Sequence, residues 1–134
     1  MLTITKPSHD RINVSFSGQI DADEMRQGLG AFIDLSEGIT HGKLFYTIPD
    51  FALPTLEALA VKMGLLPRLF SLVRRFDRAA ILSDIAWLRA AAEFEGALVP
   101  GLEIRAFRLA DTAMAEAWLE HDGDGDGLQE NVPV

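Results

Sequence analysis

The chain closes on "EHDGDGDGLQENVPV", in which Asp122, Asp124 and Asp126 alternate with glycine. Carboxylates at the first, third and fifth places of a loop, with glycine sixth, are how an EF-hand begins: alternate oxygens turned about a tight bend surround a hard cation. Gly127 does stand sixth. The twelfth place, however, needs a bidentate glutamate to close the site, and here it is Pro133. Glu130, ninth, offers one oxygen, and a glycine-spaced chain loses much entropy on ordering. The run is therefore read as an acidic solubilising tail over residues 121–134. Asp122, Asp124 and Asp126 are weak calcium candidates only, and no metal site is assigned.

Other chemistry is sparse. His9, His41 and His121 sit in a hairpin turn, before a strand and in the tail, without a second histidine or carboxylate at helical ligand spacing. No G-x-S-x-G elbow surrounds a serine, and no glycine-rich phosphate loop follows a strand. With no cysteine there is no thiolate nucleophile, disulfide or cysteine-held metal. The carboxylate groups Asp21/Asp23/Glu24 and Glu93/Glu95 fit helix capping and a polar helix face; acid–base pairs need contrasting environments instead. The residues predict neither an enzyme nor a cofactor.

The segment "KMGLLPRLFSLVRRFDR" (62–78) is more informative. Leu65, Leu66, Leu69, Phe70, Leu72, Val73 and Phe76 exceed what one buried face requires, and basic residues separate them. Such a helix covers a sheet, pairs with a second copy or another protein, walls a pocket for an apolar or acidic ligand, or lies on a membrane surface. The candidate surface comprises Phe51, Leu66, Arg68, Phe70, Arg74 and Arg75. Trp87 and Phe94 supply a second candidate surface, although aromatics at helical spacing are more often core.

The elements that must position these residues follow from periodicity. "LTIT" (2–5) and "INVSF" (12–16) alternate as hairpin strands, with "KPSHDR" as the turn. Asp21 with Glu24 three residues on marks a capped helix carrying Met25, Leu29, Phe32 and Ile33 on one face. Gly28 and Gly30 within it suggest close packing. "KLFYTI" (43–48) is a central strand, and Pro54–Thr55 opens a helix that Gly64 and Pro67 should kink or split. A strand at 78–83, a helix capped by Ser83 or Asp84, a strand at 102–109 and a helix capped by Asp111 complete the order. The result is an α/β domain over residues 1–120 with a mixed sheet whose later strands are parallel.

Composition bounds the rest. The 134 residues fit one domain, and 49% hydrophobic content is enough for a core. A net charge of −8 argues against nucleic acid as partner. No apolar run reaches the roughly 18–20 residues of a membrane span, and the start lacks a signal-peptide pattern, so a cytoplasmic protein is expected. The basic residues Lys62, Arg68, Arg74, Arg75 and Arg78 cluster around one acid, Asp77, while acids crowd the C-terminus.

This element order, with "GQID" opening the first helix, "PDF" after the central strand, and Trp87, Phe94, "PG" at 100–101 and Phe107 before "AEAWLE", resembles the SpoIIAA-like branch of the STAS superfamily. The resemblance implies a five-stranded mixed sheet with four to five helices mainly on one face, often homodimeric. It also implies a role without an assigned activity, related in fold to anti-sigma-factor antagonists. Phosphorylation-switched antagonists carry an Asp-Ser pair after the central strand. Here "PDFALPTLEAL" offers only Thr55, readable as a helix cap or as a phosphate or anion site. The expectation is a non-enzymatic regulatory or protein-interaction module acting as a homodimer. The alternative is a small-molecule or lipid binder with an apolar pocket between the helix pair 55–76 and the sheet.

Overall fold

The computed structural model describes residues 1–50, 52–96 and 99–121. Five strands, β1 (Leu2–Ser8), β2 (Arg11–Phe16), β3 (Gly42–Thr47), β4 (Phe76–Leu82) and β5 (Glu103–Phe107), lie side by side in chain order. β1 and β2 form the antiparallel hairpin; β2 to β5 are parallel. The hairpin turn is shorter than its "KPSHDR" spacing suggests. β1 runs on to Ser8, with an irregularity between Thr5 and Ser8 absorbing Pro7, which cannot donate to a ladder.

Each parallel connection passes through a helix: α1 (Ala22–Leu35), α2 (Leu56–Val73) and α3 (Ala86–Gly96). All three steps move across the sheet in one direction, and right-handed crossovers then put all three helices on one face. Two apolar clusters sit beneath them. Ile12, Val14, Leu44 and Ala79 meet Phe32 of α1 and Leu72 of α2, with Phe76 stacked on Phe32 at 5.9 Å between ring centres. Phe16, Ile48 and Ile81 meet Met25 and Ala58, with Leu88 and Ala92 of α3 packed alongside.

The last helix, α4 (Thr112–Glu120), goes to the other face. Side chains alternate along a strand, so Phe45, Ala80, Leu82 and Phe107 point away from the first three helices and onto Ala115 and Leu119. Asp111 precedes α4 but makes no side-chain cap bond, contrary to the capping pattern. A 3-10 turn at Leu109–Asp111 leads in instead, and the Thr112 hydroxyl donates to the Leu109 carbonyl at 2.7 Å.

Local capping is otherwise as the sequence predicts. Asp21 accepts from the Glu24 N–H at 2.8 Å, and the Glu24 carboxylate reaches back to the Asp21 N–H at 3.4 Å. Thr55 is the N-cap of α2, accepting from the Ala58 N–H at 3.1 Å. Ser83 accepts from the Ile85 N–H ahead of α3, while Asp84 accepts from the Leu109 N–H and ties that turn to the far end of β5.

α2 is one continuous helix across Gly64 and Pro67, not two. Pro67 lies on the solvent side, so the carbonyl that loses its intrahelical donor is not trapped in a dry core. The helical glycines serve different ends. A side-chain carbon at Gly28 would fall 2.2 Å from Leu2 Cδ2, whereas one at Gly64 would meet nothing within 4 Å. Gly28→Ala should therefore cost about 1–2 kcal/mol through forced displacement of Leu2. Gly64→Ala should add about 0.5–1 kcal/mol to protomer stability through helix propensity. Urea unfolding of the two variants checks both signs; equal shifts would contradict the assignment.

Candidate interaction surface and the strand-end cleft

The outer side of α2 is largely uncovered. Only Ala58 and Leu72 of its eighteen residues are buried. Helical geometry puts residues three, four and seven apart on one side, and Leu56, Leu59, Ala60, Met63, Pro67 and Phe70 are all exposed along that stripe. Leu56 is 81% exposed, Met63 64% and Phe70 58%. Leu53 continues the stripe before the helix. α3 lies beside the first half of α2, sharing the cluster of Ala58, Val61, Leu88 and Ala92, and presents Trp87 and Phe94 to solvent.

Of the surface residues expected from sequence, Phe70, Arg68 and Arg74 are exposed on α2, and Arg75 is exposed just after it. Leu66 is half-buried. Phe51 lies outside the described residues, as do Asp122, Asp124 and Asp126. Arg78 does not join the basic group. It points to the α4 side, donates to the Trp118 and His121 carbonyls at 2.7 and 3.1 Å, and stacks over Trp118 at 5.0 Å. Trp87 and Phe94 prove to be surface residues, since helical spacing alone does not say which face a stripe occupies.

A second feature lies where β3, β4 and β5 begin. A cleft of about 780 Å³ is lined by His9, His41 and His121 together with Asp10, Lys43, Asp77, Arg78 and Glu103. The sequence spreads these histidines over the whole chain; the parallel strands bring them to one end of the sheet. His41 takes a left-handed backbone (φ 53°) and its Nδ1 lies 2.9 Å from an Asp77 oxygen, on an exposed pair. Among the described residues no serine or threonine hydroxyl bonds this imidazole, and no three histidines, aspartates or glutamates are grouped to hold a metal. Asp77 is paired with His41, Asp10 with Lys43 and Glu103 with Arg78.

The tightest of those networks fixes α4. Arg11 on β2 and Lys43 on β3 are register partners pointing to the same side. Arg11, almost wholly buried, donates to Glu116 at 2.7 and 3.0 Å and to Glu120 at 2.7 Å, with Phe45 beneath its guanidinium at 4.8 Å. Lys43 reaches Glu120 at 3.1 Å and Asp10 at 3.5 Å. Burial alone would raise the carboxyl groups of Glu120 and Asp10. Hydrogen bonds and nearby positive charge (from Arg11 and Lys43 at Glu120, chiefly from Ser8 and Lys43 at Asp10) outweigh it and hold both below their ordinary values.

The strand-end cleft does not lie between α2 and the sheet, and neither does a smaller one. The smaller one, about 270 Å³, is an acidic notch of Asp21, Asp23, Thr55 and Glu57 beside the α2 cap. Thr55 there is engaged as the cap, and its neighbours repel an anion. Desolvation pushes the Tyr46 phenol, packed among front-face apolar groups, up to about 12, so it stays neutral at physiological pH. No helix among the described residues is long and apolar enough to cross a membrane.

A family model described as SpoIIAA-like matches residues 11–120. No curated protein matches the chain. A solved structure, that of an uncharacterized protein from the DUF3478 family with a SpoIIAA-like fold from Shewanella loihica PV-4, is 20% identical. It covers 89% of this chain and 92% of its own, with a TM-score of 0.66. At that identity the likeness is one of fold.

Proposed function

Since the chain belongs to the SpoIIAA-like family, a fold family commonly regulatory, we propose that it is a non-enzymatic, cytoplasmic regulatory module that works by protein interaction and acts as a homodimer. The observation that carries this reading is the outer face of α2, a continuous apolar stripe at helical spacing left open to solvent. Side chains of this size bury roughly 150–250 Å² when aromatic. Leu53, Leu56, Leu59, Met63 and Phe70 along α2, and Trp87 and Phe94 on α3, are each more than a third exposed, and exposed apolar residues gathered in this way mark interaction surfaces more often than scattered ones do.

Thr55 and Ser83 accept backbone hydrogen bonds as helix caps, and among the described residues the His41–Asp77 pair bonds no hydroxyl. The clefts at the strand ends and beside the α2 cap do not lie between the helix pair and the sheet and so lend no support to the alternative of an apolar ligand held there.

Light scattering tests the proposal. Phe70→Asp, at an exposed position that leaves the core untouched, should weaken self-association about 10–100-fold, as truncating a central aromatic anchor does. Arg74→Glu, at the margin, should change it far less. A wild-type mass of one chain, indifferent to both changes, would leave the proposal without support.

A further inference from the structure

All three histidines of the chain line the one cleft where β3, β4 and β5 begin. They arrive from distant parts of the sequence: His9 from the β1–β2 turn, His41 from the loop before β3, and His121 from the end of α4. Histidine is the side chain whose charge ordinarily changes between pH 5 and 8. The fold thus concentrates its imidazoles on one surface.

The fixed charges around them nearly balance. Lys43 and Arg78 stand against Asp10, Asp77 and Glu103, which leaves a formal charge of −1. Glu120 also reaches Lys43, but it is shared with Arg11, whose charge offsets it. Protonating the three imidazoles therefore carries the cleft from −1 to +2. A modest change in pH reverses its sign.

His41 is held in place by its surroundings. Its backbone is left-handed, at φ 53°, a conformation that histidine visits more often than most residues. The next residue is pinned: the Gly42 N–H donates to the Arg75 carbonyl at 2.9 Å. A side-chain carbon at Gly42 would lie 2.5 Å from Ile39 and 2.7 Å from Phe76. Backbone strain of this kind collects at ligand-binding positions. Here it carries an imidazole oriented by Asp77 at 2.9 Å.

The lining also limits the ligand's chemistry. Its two aliphatic residues, Leu102 and Leu119, are buried, so an apolar molecule finds little to cover. Among the described residues no three donors are grouped for a metal.

We propose that this cleft is a proton-gated site for a small, doubly charged oxyanion, held when the imidazoles are charged and released when they are neutral. The chain as a whole, at −8, repels anions, so the local gain in positive charge decides occupancy. The linkage is reciprocal: protons that tighten the anion are themselves held more tightly by it. No lining residue belongs to α2, so the site stands apart from the homodimer reading.

Inorganic sulfate is the probe, because it keeps both charges at about pH 5.5 and about pH 8, on either side of an ordinary histidine. Both conditions lie above the range in which Asp10 and Glu120 lose their charge, since each is held below its ordinary value; α4 stays seated. The imidazole C–H signals of the full chain are followed by NMR as sodium sulfate is added, against sodium chloride at matched ionic strength. Sulfate should give saturable shifts at all three histidines, with a dissociation constant at least about tenfold lower at the acid pH. His41→Asn, which tolerates the left-handed backbone, should weaken binding at least about threefold. Glu103→Gln removes an exposed carboxylate and should tighten it at both pH values. Shifts that match those in chloride or never saturate overturn the proposal. So does equal affinity at the two pH values, or saturation indifferent to His41→Asn, which would place the anion elsewhere.

Discussion

Arg11→Ala should lower the unfolding free energy by about 2–3 kcal/mol and release α4 ahead of the rest of the domain. Removing one partner of a buried ion pair costs roughly 3–5 kcal/mol. Here the two glutamates are 43% and 47% exposed and recover part of their hydration once the guanidinium is gone, which reduces the figure. The substitution also strips the cover from Phe45. In a Trp87→Phe background the remaining tryptophan, Trp118, is on α4. Its fluorescence should then change at lower urea than the far-UV signal of the sheet and front helices. Coincident transitions at wild-type stability would contradict the latch.

The same network predicts an acid limb. Glu120 is held below its ordinary value of 4.5 in the folded state. Its contribution is therefore complete above that value and is lost as pH falls through the depressed one. Asp10 acts in the same direction. The wild type should loosen α4 on acidification below about pH 4.5, and Arg11→Ala, having lost one of the two cations that lower Glu120 while Lys43 remains, should show a flatter profile.

Met63→Asp should have the larger effect on assembly, raising the dissociation constant by at least 100-fold. Met63 stands in the middle of the exposed apolar stripe of α2, so a carboxylate there would have to be desolvated wherever this face is buried against a partner. Met63→Leu keeps volume and apolarity and should be tolerated. Because Met63 is 64% exposed in the protomer, neither change disturbs the core, and thermal melting of diluted samples should be little altered.

How much of this was legible in the sequence depended on the reach of each interaction. The Asp21–Glu24 capping box spans three residues, and both of its bonds form as the pattern predicts. The strands and their alternation with helices followed from local periodicity, but their order in the sheet did not, because crossover handedness fixes the face a helix takes and not which strands are neighbours. The clamp on α4 was not: Arg11 meets Glu116 and Glu120 across 105 and 109 positions. A trace of it was present in the Glu116/Glu120 spacing of four, which aims two acids one way from a helix. The cleft histidines were missed for the same reason.

The α2 surface was legible in kind but not in detail. An excess of apolar residues at 62–78 indicated a second contact face; which residues formed it depended on the helix's rotation against α1. The core claimed Leu72 and most of Leu65, Leu66 and Leu69, and left Leu56, Met63 and Phe70 outside. Pro67 was read as a break because proline's missing donor usually is one. Its place on the solvent side is why the helix continues.

If the outer face of α2 joins two copies of the chain, sedimentation velocity of the wild-type protein over a concentration series should show a species of about twice the 14.7 kDa chain mass that Met63→Asp converts to a single chain; a wild type sedimenting at 14.7 kDa throughout the series would rule the homodimer out.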